Sequence, residues 1–366
     1  MKQKNALINI IKALLFVVIL GFLIFTASYL LRPSFSLDEP NEKVGFYGLY
    51  AEKKDALDVV FFGSSDIFVS FMPYKVWEDH GITSYSWGRS AMRSPLFMEE
   101  YKLLSKYQKP KLLVVGVRPF IFTKEKVEET SLRNISDLLP YSSPERFRLL
   151  NDTLPYLDYK DSYYNEKTTL EKRMPFYFDI MKYHENWQDI TEDSWNNFSS
   201  GTFSSPTKGF LVVDKYEKIK GPQNINTEEK LKIEDYSEES LRRFLKKLDE
   251  DQQEALFVMI PYQETIEQKK QYNYLKDIII NSGYSCIDLN DYWEEIGLDE
   301  TTDYYDINHP NIFGAEKITD FLMSYINNNY DLPNHKGEEE YESWDKGLKT
   351  WHTIENNLKE SIIERQ

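Results

Sequence analysis

Short apolar runs alternate along this chain with longer stretches whose apolar positions recur three and four apart. Val59, Val60, Phe61 and Phe62 form one such run, with Asp58 before it and Gly63-Ser64-Ser65-Asp66 after it. A run that is apolar on both faces predicts a buried strand of a parallel sheet. The first strand is therefore expected over 56–62. Val69, Met72, Val76 and Trp77 share one helical face and predict a helix over 68–80. A second strand is expected over 82–87, ending in the turn Gly88-Arg89-Ser90. A helix over 95–107 and a third strand over 111–116 follow, the strand running into Val117-Arg118-Pro119. The same alternation returns late in the chain, with a helix over 237–250, a strand from Ala255 to the Pro261-Tyr262 loop, a helix over 266–282 and a last strand over 285–289. Pro310 is expected to open the final core helix, where Ile318, Phe321, Leu322, Tyr325 and Ile326 make one stripe. Strands and helices in this order build right-handed parallel βαβ units, so the fold class is α/β.

Between about 124 and 235 the pattern loosens. Tyr, Asn, Asp and Ser are abundant there, and Pro140, Pro144, Pro155 and Pro175 interrupt the chain. The segment is too aromatic for a disordered linker and reads as an inserted cap. Its tracts Tyr183-His184-Glu185-Asn186-Trp187 and Lys208-Gly209-Phe210 read as ordinary packing residues. At the other extreme, 13–31 carries no charge and is about as long as the ~20 residues that cross a bilayer. Lys2, Lys4 and Lys12 precede it, which puts the N-terminus in the cytoplasm and the main domain outside. A cleaved signal peptide is the rival, but the apolar stretch exceeds the usual h-region and no A-x-A site follows. The expected organisation is a transmembrane anchor over 1–32, a stalk over 33–54, the α/β domain over 55–330 and a charged C-terminal tail over 331–366, with Trp344, Trp351 and Ile354 as its docking points.

Composition narrows the function. A formal charge of −16 argues against nucleic-acid binding, which needs a basic footprint. Cys286, the only cysteine, excludes an internal disulfide. There is no H-E-x-x-H pattern, and Asp288, Asp291, Asp299 and Asp303 lack calcium-loop spacing, so no metal is expected. Without a Gly-rich phosphate loop, no cofactor is expected either.

Two segments carry chemistry. Ser64 and Ser65 stand where a strand hands over to a helix, at the carboxyl edge of a parallel sheet where ligands bind. A helix cap is the plain alternative for this pair. Far downstream lies Tyr305-Asp306-Ile307-Asn308-His309-Pro310. His309 can take a serine proton, and an Asp three residues earlier can fix the imidazole tautomer.

Together these blocks resemble the SGNH/GDSL hydrolase superfamily, which carries an early G-D-S block and a late D-x-x-H block. Gly63-Ser64-Ser65 stands for G-D-S, so the resemblance implies Ser65 as nucleophile, with His309 and Asp306 completing a triad. The Gly-Ser-Ser variant behind an anchor is similar to the membrane-anchored D-alanine transfer (DltD) proteins and to acetyltransferase-like surface polysaccharide proteins. The resemblance implies a flavodoxin-like three-layer α/β/α sandwich and an oxyanion hole made by Ser65 itself, Gly88 and a third-block residue. That residue is normally Asn, and here Arg118 occupies its place. The implied function is serine-dependent O-acyl transfer or ester hydrolysis outside the membrane, on a cell-surface glycan or teichoic acid, with a membrane-bound O-acyltransferase as partner. The alternative is a non-catalytic accessory protein for such a system.

Overall fold

The computed structural model describes residues 2–37, 39–121, 127–157, 169–198, 203–221 and 225–365. Parts of the expected cap, 124–126, 158–168, 199–202 and 222–224, lie outside the described residues.

Five parallel strands form the centre: β1 (Val59–Ser64), β2 (Ser84–Arg89), β3 (Leu112–Gly116), β4 (Ala255–Met259) and β5 (Ser285–Asp288). Their spatial order is β2-β1-β3-β4-β5. The register sets Gly63 beside Gly88 and Phe62 beside Val115. Successive residues of each inner strand feed opposite cores. Val60, Phe62, Leu113, Val115, Phe257 and Met259 face one apolar cluster, while Val59, Phe61, Leu112, Val114, Leu256 and Val258 face another. Every residue of β3 and β4 is buried, as strands covered by helices on both faces require. On the first face pack α5 (Ser94–Tyr107) and the helices Asp235–Glu250 and Ile266–Asn281, through residues such as Phe97, Phe244 and Leu275. On the second packs the helix Ile312–Asn329, through Ile318, Leu322 and Ile326.

Several expectations are corrected. The helix expected over 68–80 is two: a short α3 (Ser65–Phe68) and α4 (Pro73–His80). Pro73 sits in the first turn of α4, where a missing N–H costs nothing, and prevents a continuous helix. Pro310 does not open the last core helix. It belongs with His309 to β7, paired antiparallel to β6 (Tyr304–Asp306), and Asn311 caps the helix by accepting from the amides of Phe313 and Gly314. Within the stalk expected over 33–54, Glu42–Ala51 form the helix α2, whose Val44–Leu49 segment is buried. The expected tail contains a 22-residue helix, Glu342–Ile363, with Trp344, Trp351, Leu358 and Ile362 buried against the domain. Ile354, the third expected docking point, is partly buried against the same core.

Described parts of the inserted segment pack at the base of α1 (Lys2–Leu30). It contains α7 (Glu129–Ser136), α8 (Pro144–Thr153) and the helical turns Ile180–Tyr183, His184–Gln188 and Glu192–Phe198. Among the described residues one helix, Ala6–Leu30, is long and apolar enough to cross a membrane. Just beyond it the buried Arg32 donates to Asp179 through Nε at 2.8 Å and Nη2 at 2.6 Å, and to the Asp137 carbonyl through Nη1 at 2.6 Å. Arg146 donates to the other oxygen of Asp179 at 2.6 Å.

Candidate active site

The sheet order reverses direction at β1, where β2 lies on one side and β3 on the other, and it is here that the chain leaves β1 through Ser64 into Ser65. Gly63 has no left-handed backbone to accommodate. Its value is space: a Cβ there would lie 2.6 Å from the Ile67 side chain, and one on Gly116 equally close. Ile67 thus wedges α3 onto two glycine strand ends and aims Ser65 along the carboxyl edge.

Ser64 occupies the N-cap position of α3, yet its side chain makes no capping bond. The hydroxyl of Ser65 lies 2.8 Å from Nε2 of His309, across 244 positions of sequence. On the far side of the ring, Nδ1 of His309 is 2.9 Å from both Asp306 carboxylate oxygens. Asp306 also accepts from the Asn308 amide at 2.7 Å. Burial works against its charge, but the His309 bond and charge, the Asn308 amide and the Arg118 guanidinium outweigh burial and hold Asp306 below the ordinary carboxylate range. Tyr305 stacks on the imidazole at 5.3 Å with the planes 4° apart. The loop is fixed from outside by the Gln263 amide donating to the Ile307 carbonyl at 3.1 Å, and by the Tyr304 hydroxyl donating to the Pro261 carbonyl at 3.1 Å. All three residues expected to act together are therefore brought into one hydrogen-bonded chain.

The two remaining expected residues lie beside the strand end that carries Ser65 and on the histidine loop. Gly88 lies in the β1–β2 ladder, and a Cβ on it would come within 2.5 Å of the Ser64 carbonyl. Arg118 is buried. It donates through Nη1 to the Asn308 carbonyl at 2.9 Å and through Nη2 to the Asn308 side-chain oxygen, with its guanidinium 4.4 Å over the Tyr262 ring. These two bonds hold the histidine loop.

Asp66, Asn308 and Tyr305 belong to the site and were not singled out from the sequence. Asp66 is 1% exposed, and neither carboxylate oxygen has a hydrogen-bond partner among the described residues. Burial pushes its carboxyl up, against the charges of Arg118 and His309 and the nearby Asp66 and Ile67 amides. Its position next to Ser65 was the available signal. Asn308 and Tyr305 lay inside the motif itself.

Further along the sheet edge, beyond Tyr262, a cavity of about 470 Å³ is bordered by Glu264, Lys269, Asn290 and Asp291, among others. Lys269 there bridges Asp288 at 2.7 Å and Asp291 at 2.5 Å. Among the described residues, no group of three or more His, Cys, Asp or Glu side chains is arranged to hold a metal ion.

Comparison with protein-family models, curated proteins and solved structures finds no match to this chain. The class defined by the structure itself is an α/β protein with a five-stranded parallel sheet flanked by helices and one N-terminal apolar helix.

Proposed function

We propose that the protein is a membrane-anchored serine acyltransferase or esterase of the SGNH type, with Ser65 as nucleophile, His309 as general base and Asp306 as the group that orients the imidazole. The observation that carries this reading is the continuous chain Ser65 Oγ, His309 Nε2, His309 Nδ1, Asp306 at 2.8 and 2.9 Å. A serine hydroxyl becomes a competent nucleophile when such a base is within hydrogen-bond reach. The strand order 2-1-3-4-5 is that of flavodoxin-like sheets, and the site stands at their switch point. Both support the SGNH-type sandwich.

In the reaction, Ser65 attacks the acyl carbonyl while its proton passes to His309, and Asp306 stabilises the imidazolium. The oxyanion is received by the Ser65 amide and, in this reading, the Gly88 amide. Arg118 serves by holding Asn308, and through it the histidine loop. The proton then returns to the leaving oxygen, and water or an acceptor hydroxyl releases the acyl group. With Lys2, Lys4 and Lys12 before the apolar helix, the domain lies outside the cell membrane. The acceptor is then a surface glycan or teichoic acid, and a membrane-bound O-acyltransferase is the partner that supplies the acyl group.

Fluorophosphonate probes test this directly. Wild type and Ser64→Ala should become labelled, while Ser65→Ala and His309→Ala should lose labelling by roughly 10⁴-fold or more, because triad members act as a unit. Labelling that follows Ser64 instead would move the nucleophile by one residue. A second reading, an accessory protein without catalysis, is favoured by Arg118 being engaged with Asn308 in place of an oxyanion donor. It requires Ser65→Ala to keep full function in cells.

A further inference from the structure

The chain has seven tryptophans, and they divide sharply. Trp77, Trp87, Trp293, Trp344 and Trp351 are all buried, at 9% exposure or less. Trp187 and Trp195 are 65% and 58% exposed. They are not scattered. Of the fourteen exposed large apolar residues outside α1 among the described residues, eight fall between 147 and 198, including Phe178, Met181, Ile190 and Phe198. A soluble surface tolerates single exposed apolar residues but not such a concentration without a use.

The position of this cluster says what covers it. An aromatic series runs outward from the apolar helix: Phe25 against Tyr29 at 4.9 Å, Tyr29 stacked on Phe198 at 4.7 Å, and Phe198 stacked on Trp195 at 5.6 Å. On the other side, Asn186, next to Trp187, donates to the Leu31 carbonyl at 3.0 Å. Buried Arg32 ties the same point to Asp179, beside Phe178. The apolar cluster is therefore a collar fixed around the level at which α1 ends. Ala6–Leu30 is 25 residues, roughly 37 Å of helix, and outlasts a hydrocarbon core of about 30 Å. Its end and the collar stand at the headgroup level, where Trp and Tyr are favoured because one part of the ring is apolar and the N–H or O–H is wet.

We propose that this collar is a membrane-surface site: Trp187 and Trp195, with Phe178, Met181 and Ile190, seat in the boundary layer of a lipid bilayer around the base of α1. The proposal rests on α1 being the membrane span. Glu185, Asp189, Glu192 and Asp193 are interspersed in the same stretch, so the attraction is apolar and needs no anionic lipid.

The test uses the full chain in phosphatidylcholine nanodiscs carrying bromine on the acyl chains. The anchor contains no tryptophan, so quenching of tryptophan emission reports on the folded domain alone. Emission equal to about two of the seven tryptophans should be quenched, more strongly by bromine near the carbonyl end of the acyl chain than near its methyl end. That fraction should vanish in W187F/W195F, whose substitutions at exposed positions leave the melting temperature unchanged. A chain that enters the discs yet is not quenched, or is quenched equally in the double variant, overturns the collar and leaves this face to a protein partner. A chain recovered free of lipid removes the span itself, and the collar with it.

Discussion

Glu264 shows at a single side chain how the sheet edge is tuned. It is 4% exposed and one of its oxygens has no hydrogen-bond partner among the described residues. Burial, then the charges of Asp288 and Asp291, push its carboxyl up to about 8, with Lys269 opposing. The buried Glu100, beside Arg89, is pushed up by burial to about 7. An acid raised in this way keeps its proton in the folded state and loses it in the unfolded chain, across the window from about 4.5 to about 8. The unfolded state then binds fewer protons, so stability falls as pH rises through that window, by on the order of a few kcal/mol for a buried group. The melting temperature should drop between pH 5.5 and 8.5, and Glu264→Gln should flatten the fall. Parallel curves for the two proteins would show that Glu264 does not carry it. Asp306 works in the opposite sense, since a depressed carboxylate contributes stability at neutral pH and loses it only in acid.

Among the elements, the helix Glu342–Ile363 was hidden by its charge. Trp344, Leu348, Trp351, Leu358 and Ile362 lie on one stripe, and the remaining faces are charged, which read as a tail until the stripe found its partner in α4. Trp351 is 1% exposed and stacks on Tyr74 while meeting Phe210 edge-on. Trp351→Ala should cost roughly 3–5 kcal/mol, read as a lowered denaturation midpoint. A loss below about 1 kcal/mol would mean the helix is an appendage. The strands were legible for a simple reason: parallel strands covered on both faces are nearly all apolar, and β1, β3 and β4 announce themselves. The hydrogen-bonded chain of Ser65, His309 and Asp306 was legible because its members sit at a strand end and in one short motif. The helix α2 was not, because it has no single apolar stripe. It is buried all round, and Gly45 and Gly48, which weaken a helix on paper, are there to admit neighbouring chain: a Cβ on Gly48 would lie 2.7 Å from Ser205 and from the Tyr85 hydroxyl. The tracts that read as ordinary packing include Lys208, whose ammonium meets Glu52 at 2.8 Å while Gly209 turns with φ of 84°. Such long-range fits leave no periodic trace in sequence.

At the scale of the whole molecule, the positive-inside reading has a direct check. Protease added to intact cells should remove the domain beyond residue 33 and spare an N-terminal tag, whereas a protected domain would reverse the topology. The contact between Arg32 and Asp179 bears on what such a domain can reach. A loose tether of about 22 residues would let it wander over some 25 Å above the membrane. The side chain of Arg32, 1% exposed, and that of Asp179, fully enclosed, instead fasten the domain directly to the end of α1. Ser65 is carried at one altitude, like a stylus on a fixed arm. Under the function proposed above, the ester must come up or down to that height, so the sway of the polymer, and not the roaming of the protein, would set how often the two meet.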